Sequence, residues 1–134
     1  MTPVVRVKPG VKFNPIAPAG FVLLAAIQAA CWHLDRDITI SCGSEGHPTI
    51  DPHSTGEAYD LSVQGMNDPE IIDLVMFLRK TLGRQFYVVY ETPSAIRDAL
   101  VVAAVAVMNL QATAAHIHCQ RARGTTYPPD TVAV

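Results

Sequence analysis

Apolar and polar positions along the chain change period several times, and each change predicts an element. Over residues 19–34 the apolar positions recur at helical spacing. Phe21, Leu24, Ala25, Gln28 and Trp32 fall on one side, and Leu23, Ile27 and Cys31 widen the stripe. From Asp37 to Ser41 the pattern switches to alternation with β-branched residues, which predicts a strand. Residues 42–58 are rich in Gly, Ser, Pro and His and read as a loop. Tyr59 to Val63 reads as a short strand. Asn67-Asp68-Pro69 then opens a second helix, with Asp68 as N-cap and Pro69 at the first helical position. Ile71, Leu74, Val75, Leu78 and Leu82 form its buried stripe, and Gly83 stops it.

Gln85 to Tyr90 is a strand by composition. Thr92-Pro93 is read as the start of a third helix running to about Leu110. The Val101 to Val107 tract inside it also suits a buried strand; length and the Thr-Pro start favour helix. Ala114 to Gln120 is the last strand. The Pro-rich residues 1–18 read as an extended arm laid over the core, and residues 124–134, with Pro128-Pro129, as a loose tail. No repeat or composition break divides the chain, so residues 1–134 are expected to form a single domain.

Composition narrows the function classes. With 49% hydrophobic and only 16% charged residues, the chain can bury a real core. A net charge of −2 and the isolated Arg121 and Arg123 leave no basic footprint for nucleic acid. The three cysteines, Cys31, Cys42 and Cys119, are odd in number and widely spaced, so no disulfide framework is expected. Without a C-x-x-C pair, a structural zinc knuckle is not expected either. Arg6, Lys8 and Lys12 ahead of the apolar Phe21 to Ile27 and Cys31 loosely imitate an export signal. Four prolines interrupt the approach, Gln28 stands where a lipoprotein signal needs an aliphatic residue, and removal would strip a core helix. The apolar run is also too short to span a membrane. The expectations are a protein without a membrane span, a monomer, and no signal-led export.

The candidate chemistry lies in His53-Ser54-Thr55-Gly56-Glu57-Ala58-Tyr59-Asp60 and, far downstream, His116-Ile117-His118. Two imidazoles and a carboxylate suit one zinc ion, whose catalytic sites use three protein ligands and leave a fourth position open. On a strand, residues i and i+2 share a face. His116 and His118 would therefore both face the site, one as ligand and the other beside it, with Ile117 and Cys119 turned to the core. Asp60 and His53 can complete the set. Gly56 permits a tight turn that a Cβ would obstruct, and small Ala58 permits close packing. Cys42 and Cys119 are read as structural, Glu57 as solvent-facing, Glu91 as a strand-end surface charge, and His33 as an ordinary surface or core residue.

The order His-Ser-x-Gly-x-Ala-x-Asp followed by His-x-His resembles the zinc peptidases of the D-Ala-D-Ala carboxypeptidase and L-alanyl-D-glutamate endopeptidase type, within the group that includes lysostaphin and the hedgehog signalling domain. The resemblance covers roughly residues 10–121 in element order. It implies an α+β fold, a small antiparallel sheet carrying the zinc and flanked by helices. It implies zinc ligation by His53, Asp60 and His118, with His116 beside the metal as the catalytic base or oxyanion stabiliser. Ala115 stands where some relatives place a glutamate base. The implied substrate is a peptidoglycan stem peptide.

Two departures bear on the substrate side. No Arg occurs in Ser41-Cys42-Gly43-Ser44-Glu45-Gly46-His47, where the family carries one, and Asp51 replaces a Ser two residues before the first ligand. Ser41, His47 and Arg121 are the substrate-side candidates, with Arg36 a further stand-in for the missing cation. The rival readings are a zinc-binding module of the same fold without catalysis, and a cupin-type barrel. The latter puts its His-x-His first and needs more strands than are predicted here. Cytoplasmic synthesis with release by lysis, as for a phage endolysin, fits the lack of an export signal and of a wall-binding domain.

Overall fold

The computed structural model describes residues 2–46 and 51–125. The fold is α+β. Among the described residues a six-stranded sheet runs in the order β1-β2-β3-β6-β4-β5, where β1 is Val5–Val7, β2 Ile38–Cys42, β3 Ala58–Ser62, β4 Phe86–Thr92, β5 Ala106–Met108 and β6 His116–Arg121. The four inner strands pair antiparallel; the edge pairs β1–β2 and β4–β5 are parallel, so the sheet is mixed. The helices α1 (Pro18–Leu34), α2 (Asp68–Leu82) and α3 (Asp98–Val102) join Ile38, Ile40, Tyr59, Leu61, Val88, Tyr90, Ile117 and Cys119 in one buried cluster on one face of the sheet. Among the described residues no helix is long and apolar enough to cross a membrane.

Alternation decides which residues meet that core. Along β6 the buried positions are Ile117 and Cys119, while His116, His118 and Gln120 point the other way. In α1 the buried stripe is Ala19, Leu23, Ala26, Ile27, Ala30 and Cys31. Phe21 and Trp32, expected on the buried side, are 61% and 60% exposed. The helix is apolar nearly all round, so its periodicity does not determine which side is buried. In α2 the cap is Asn67, one residue before the expected Asp68. Its side chain accepts the Glu70 N–H while Glu70 accepts the Asn67 N–H, a reciprocal capping box. Gly83 ends α2 as expected, its N–H bonded to the Arg79 carbonyl.

The third helix differs most from expectation. Thr92 closes β4, and its hydroxyl accepts the Ser94 N–H in a local turn. Helix α3 spans only Asp98–Val102. Ala104 takes a left-handed conformation (φ 56°), Val105 offers its carbonyl to the Tyr90 N–H, and Ala106–Met108 runs beside β4 as β5. Branched side chains sit well on a pleated surface, and the β4 edge supplies backbone partners that a continued helix would leave unpaired. The valine tract is thus divided between a short helix and a strand.

The segment before α1 lies along the sheet edge. Asp37 accepts the Val4 N–H (2.8 Å) and pairs with Arg6, Lys8 donates to Ile40, and the Phe13 ring lies 5.6 Å from that of Tyr59.

Candidate metal centre

The face of the sheet away from the helices carries the polar residues in two cross-strand rows. Register places Cys42 on β2 opposite Asp60 on β3, Asp60 opposite His118 on β6, and His118 opposite Val89 on β4. The next row sets Ser62 opposite His116, and His116 opposite Glu91. These rows floor an open trough of about 1780 Å³ lined by Ser41, Cys42, His53, Asp60, Glu91, His116 and His118. His53 enters from the loop before β3.

That loop is shaped by its own hydrogen bonds. Asp51 accepts the Ser54 N–H through its side chain (2.9 Å), and Gly56 donates its N–H to the His53 carbonyl. Asp51 therefore caps the turn that presents His53. Gly56 has φ +77°, and a Cβ there would meet the Pro15 carbonyl oxygen at 2.2 Å, so the tight passage requires glycine. The chain ahead of α1 is held to the same point, where the Ala17 N–H donates to the Gly56 carbonyl.

Asp60 is the hub of the site. Its Oδ1 lies 2.9 Å from His118 Nδ1, 3.3 Å from His53 Nε2 and 3.7 Å from His116 Nε2. Burial works to raise its pKa, yet the hydrogen bonds from His118 and His53 and the charge of the imidazoles outweigh it and hold the carboxyl well below the ordinary range. For His118, burial favours the neutral ring, and the bonds to Asp60 and Gln120 overturn it and raise the pKa.

The outer ring nitrogens fix which atoms are available to a metal. His53 Nδ1 lies 3.2 Å from the Gly43 carbonyl, which only accepts, so Nδ1 carries the hydrogen and Nε2 faces Asp60. His118 Nε2 lies 2.7 Å from Gln120 Oε1, leaving Nδ1 toward the same carboxylate. Tetrahedral zinc with bonds of about 2.0–2.1 Å sets its donor atoms roughly 3.3 Å apart. The His53–Asp60 and His118–Asp60 separations are close to that value. Two groups have all donor atoms within 4.8 Å of one another, Cys42–His53–Asp60 and Asp60–His116–His118; Asp60 belongs to both, while the expected ligands His53 and His118 fall in different groups. The donor chemistry fits a zinc-like cation.

No family model, no curated protein and no solved structure matches the chain.

Several sequence expectations change in the folded site. Glu91, expected as a surface charge, is half-buried with Oε1 3.0 Å from His116 Nε2. Gln120, not singled out in the sequence, continues the 116, 118, 120 alternation and orients His118. Glu57, expected to face solvent, pairs with Arg121 at 2.5 Å. Arg121 thereby lies apart from the trough lining, on the strand parity opposite to His118. Ser41 lines the trough and donates its hydroxyl to the Asp60 carbonyl (3.3 Å). Arg36 also lines it but is bonded to Glu70 (2.8 Å). His47 lies outside the described residues. His33 pairs with Asp73 and stacks on Phe77, away from this centre. Cys119 is buried, its thiol donating to the Tyr59 carbonyl. Cys42 faces the site: burial and the charges of Asp60 and Glu45 push its thiol up to about 12.

Proposed function

We propose that the chain is a zinc-dependent peptidase acting on peptidoglycan stem peptides, with His53, Asp60 and His118 as ligands. The observation that carries this reading is the convergence of His53 Nε2 and His118 Nδ1 on one Asp60 oxygen, on a polar sheet face open to a broad trough. The stem-peptide substrate rests on the motif resemblance. A zinc ion held by these residues would polarise a scissile carbonyl and lower the pKa of water toward about 7.

The neighbouring residues supply proton handling. His116 Nδ1 lies 2.9 Å from the Ala114 carbonyl and must carry a hydrogen, while Nε2 shares a proton with Glu91 Oε1. Glu91 orients the ring, and His116 delivers that proton to the leaving amine or stabilises the tetrahedral oxyanion. Nε2 is 3.7 Å from Asp60 Oδ1, close enough to act on a carbonyl bound beside the ligands. Synthesis without signal-led export belongs to the same reading. Its support is that Leu23, Ile27 and Cys31 of α1 are fully buried, so the signal-like segment is core.

The non-catalytic zinc module is the second reading, favoured by the lack of an Arg in Ser41–Gly46 and by the engagement of Arg36 with Glu70 and of Arg121 with Glu57. Elemental analysis of the purified protein, followed by release of D-Ala from a D-Ala-D-Ala peptide and digestion of purified cell wall, separates them. The peptidase reading expects one equivalent of zinc and hydrolysis abolished by chelation. One equivalent of zinc with no cleavage leaves the binding module, and undiminished cleavage by metal-free protein overturns both.

A further inference from the structure

We infer that Cys42 is a sulfur donor to the metal and fills the fourth position of the centre when no substrate is bound. The inference rests on the metal site proposed above and adds a means of regulating it. In an unbroken β2 strand Cys42 would share the core-facing side of Ile40. The register instead runs Ile40–Leu61 and then Cys42–Asp60, two steps on β2 against one on β3, with Ser41 as the extra residue. A bulge of this kind turns the following side chain to the other face. It sets Cys42 opposite Asp60, on the side that carries the histidines.

The sulfur joins His53 and Asp60 in a group whose donor atoms all lie within 4.8 Å of one another. Zinc–sulfur bonds of about 2.3 Å set a sulfur roughly 3.5 Å from its fellow donors, so the side chains close in from within 4.8 Å when Cys42 coordinates. The thiol donates to the Gly43 carbonyl at 3.6 Å. On coordination one metal–sulfur bond forms, the S–H proton passes to solvent, and the centre has four protein donors: Cys42, His53, Asp60 and His118. Substrate gains access when the sulfur leaves and is reprotonated. The centre then prefers thiophilic cations such as zinc, cobalt(II) and cadmium over magnesium or calcium.

Cobalt(II) titration of the full chain tests this. Wild-type protein should develop a near-ultraviolet sulfur-to-cobalt charge-transfer band together with the visible bands of tetrahedral cobalt. Cys42→Ser should keep the visible bands, lose the charge-transfer band, and bind cobalt at least about tenfold more weakly. Cys31→Ser, within the helix core, should retain both. A carbonyl-mimicking hydroxamate should bleach the charge-transfer band in wild type. Visible cobalt bands without a charge-transfer band, or a charge-transfer band that survives Cys42→Ser, would overturn the sulfur ligand and leave the metal site intact. A band that persists with hydroxamate bound would overturn its displacement. Failure to bind cobalt at all would overturn the metal site itself.

Discussion

On β6, Ile117 and Cys119 are sealed beneath the helices, while His116, His118 and Gln120, their direct neighbours, face the open trough. On β3, Tyr59 and Leu61 lie in the core and Asp60 between them faces the site. Two strands therefore serve two environments at a spacing of one residue. The core face is sensitive to volume and polarity; the open face is sensitive to donor identity. That contrast makes the faces separable by experiment.

The largest effect is expected on the open face. Asp60→Ala or His118→Ala should abolish zinc binding in calorimetric titration, exceeding the roughly 10–100-fold loss typical of an outer partner. Circular dichroism should show both variants folded; their unfolding would break the separation of the faces. Ile117→Ala, one residue away, should cost about 2–5 kcal/mol in denaturant unfolding because it empties a fully buried site. Its folded fraction should still bind one zinc at wild-type affinity. A weaker metal affinity would show that core packing also sets the donor positions.

Glu91→Gln tests the second row. It keeps the shape and removes the charge that orients His116. Turnover should fall about 10–100-fold with zinc retained, and a matching loss of zinc would make Glu91 a ligand. Tyr59→Phe is a small core-face test. Among the described residues the buried Tyr59 hydroxyl has no hydrogen-bond partner, so its removal should leave stability unchanged or raise it by about 1 kcal/mol.

The smallest effect is at the sheet edge. The Val4 N–H and then the Arg6 guanidinium hold Asp37 below its ordinary pKa. A depressed carboxylate stabilises the fold above its unfolded value of about 3.9 and loses that contribution as pH falls through the folded value. Amide exchange at Val4 should therefore accelerate on acidification below that range and already be fast at neutral pH in Asp37→Asn. Equal exchange in the two proteins would remove Asp37 as the tie.

The sequence made the alternation on β6 legible because apolar and polar residues alternate there without exception from His116 to Gln120. It placed α2 within a residue, since Asn67, Pro69, Glu70 and Gly83 are strong local signals. It failed where one pattern serves two states. An almost wholly apolar α1 does not show which side is buried, and the Val101 to Val107 tract suits helix and strand alike. It also failed where function depends on register between distant strands. Glu91 meets His116 only because β4 and β6 pair in that frame, and Cys42 reaches Asp60 only because β2 contains a bulge. Neither is encoded by local spacing.

The strand order has a consequence for biogenesis. The ribosome releases β6 after every other described strand, yet β6 sits between β3 and β4 and bridges them. Until it inserts, β3 and β4 are unpaired edges and Asp60 lacks His118. A growing chain can pair β2 with β3 and β4 with β5, but these remain two separate pieces. Long-range closure of this kind is slow because the intervening chain must be ordered first. The complete centre forms only with the last strand, so a nascent or truncated chain cannot hold metal as the finished protein does.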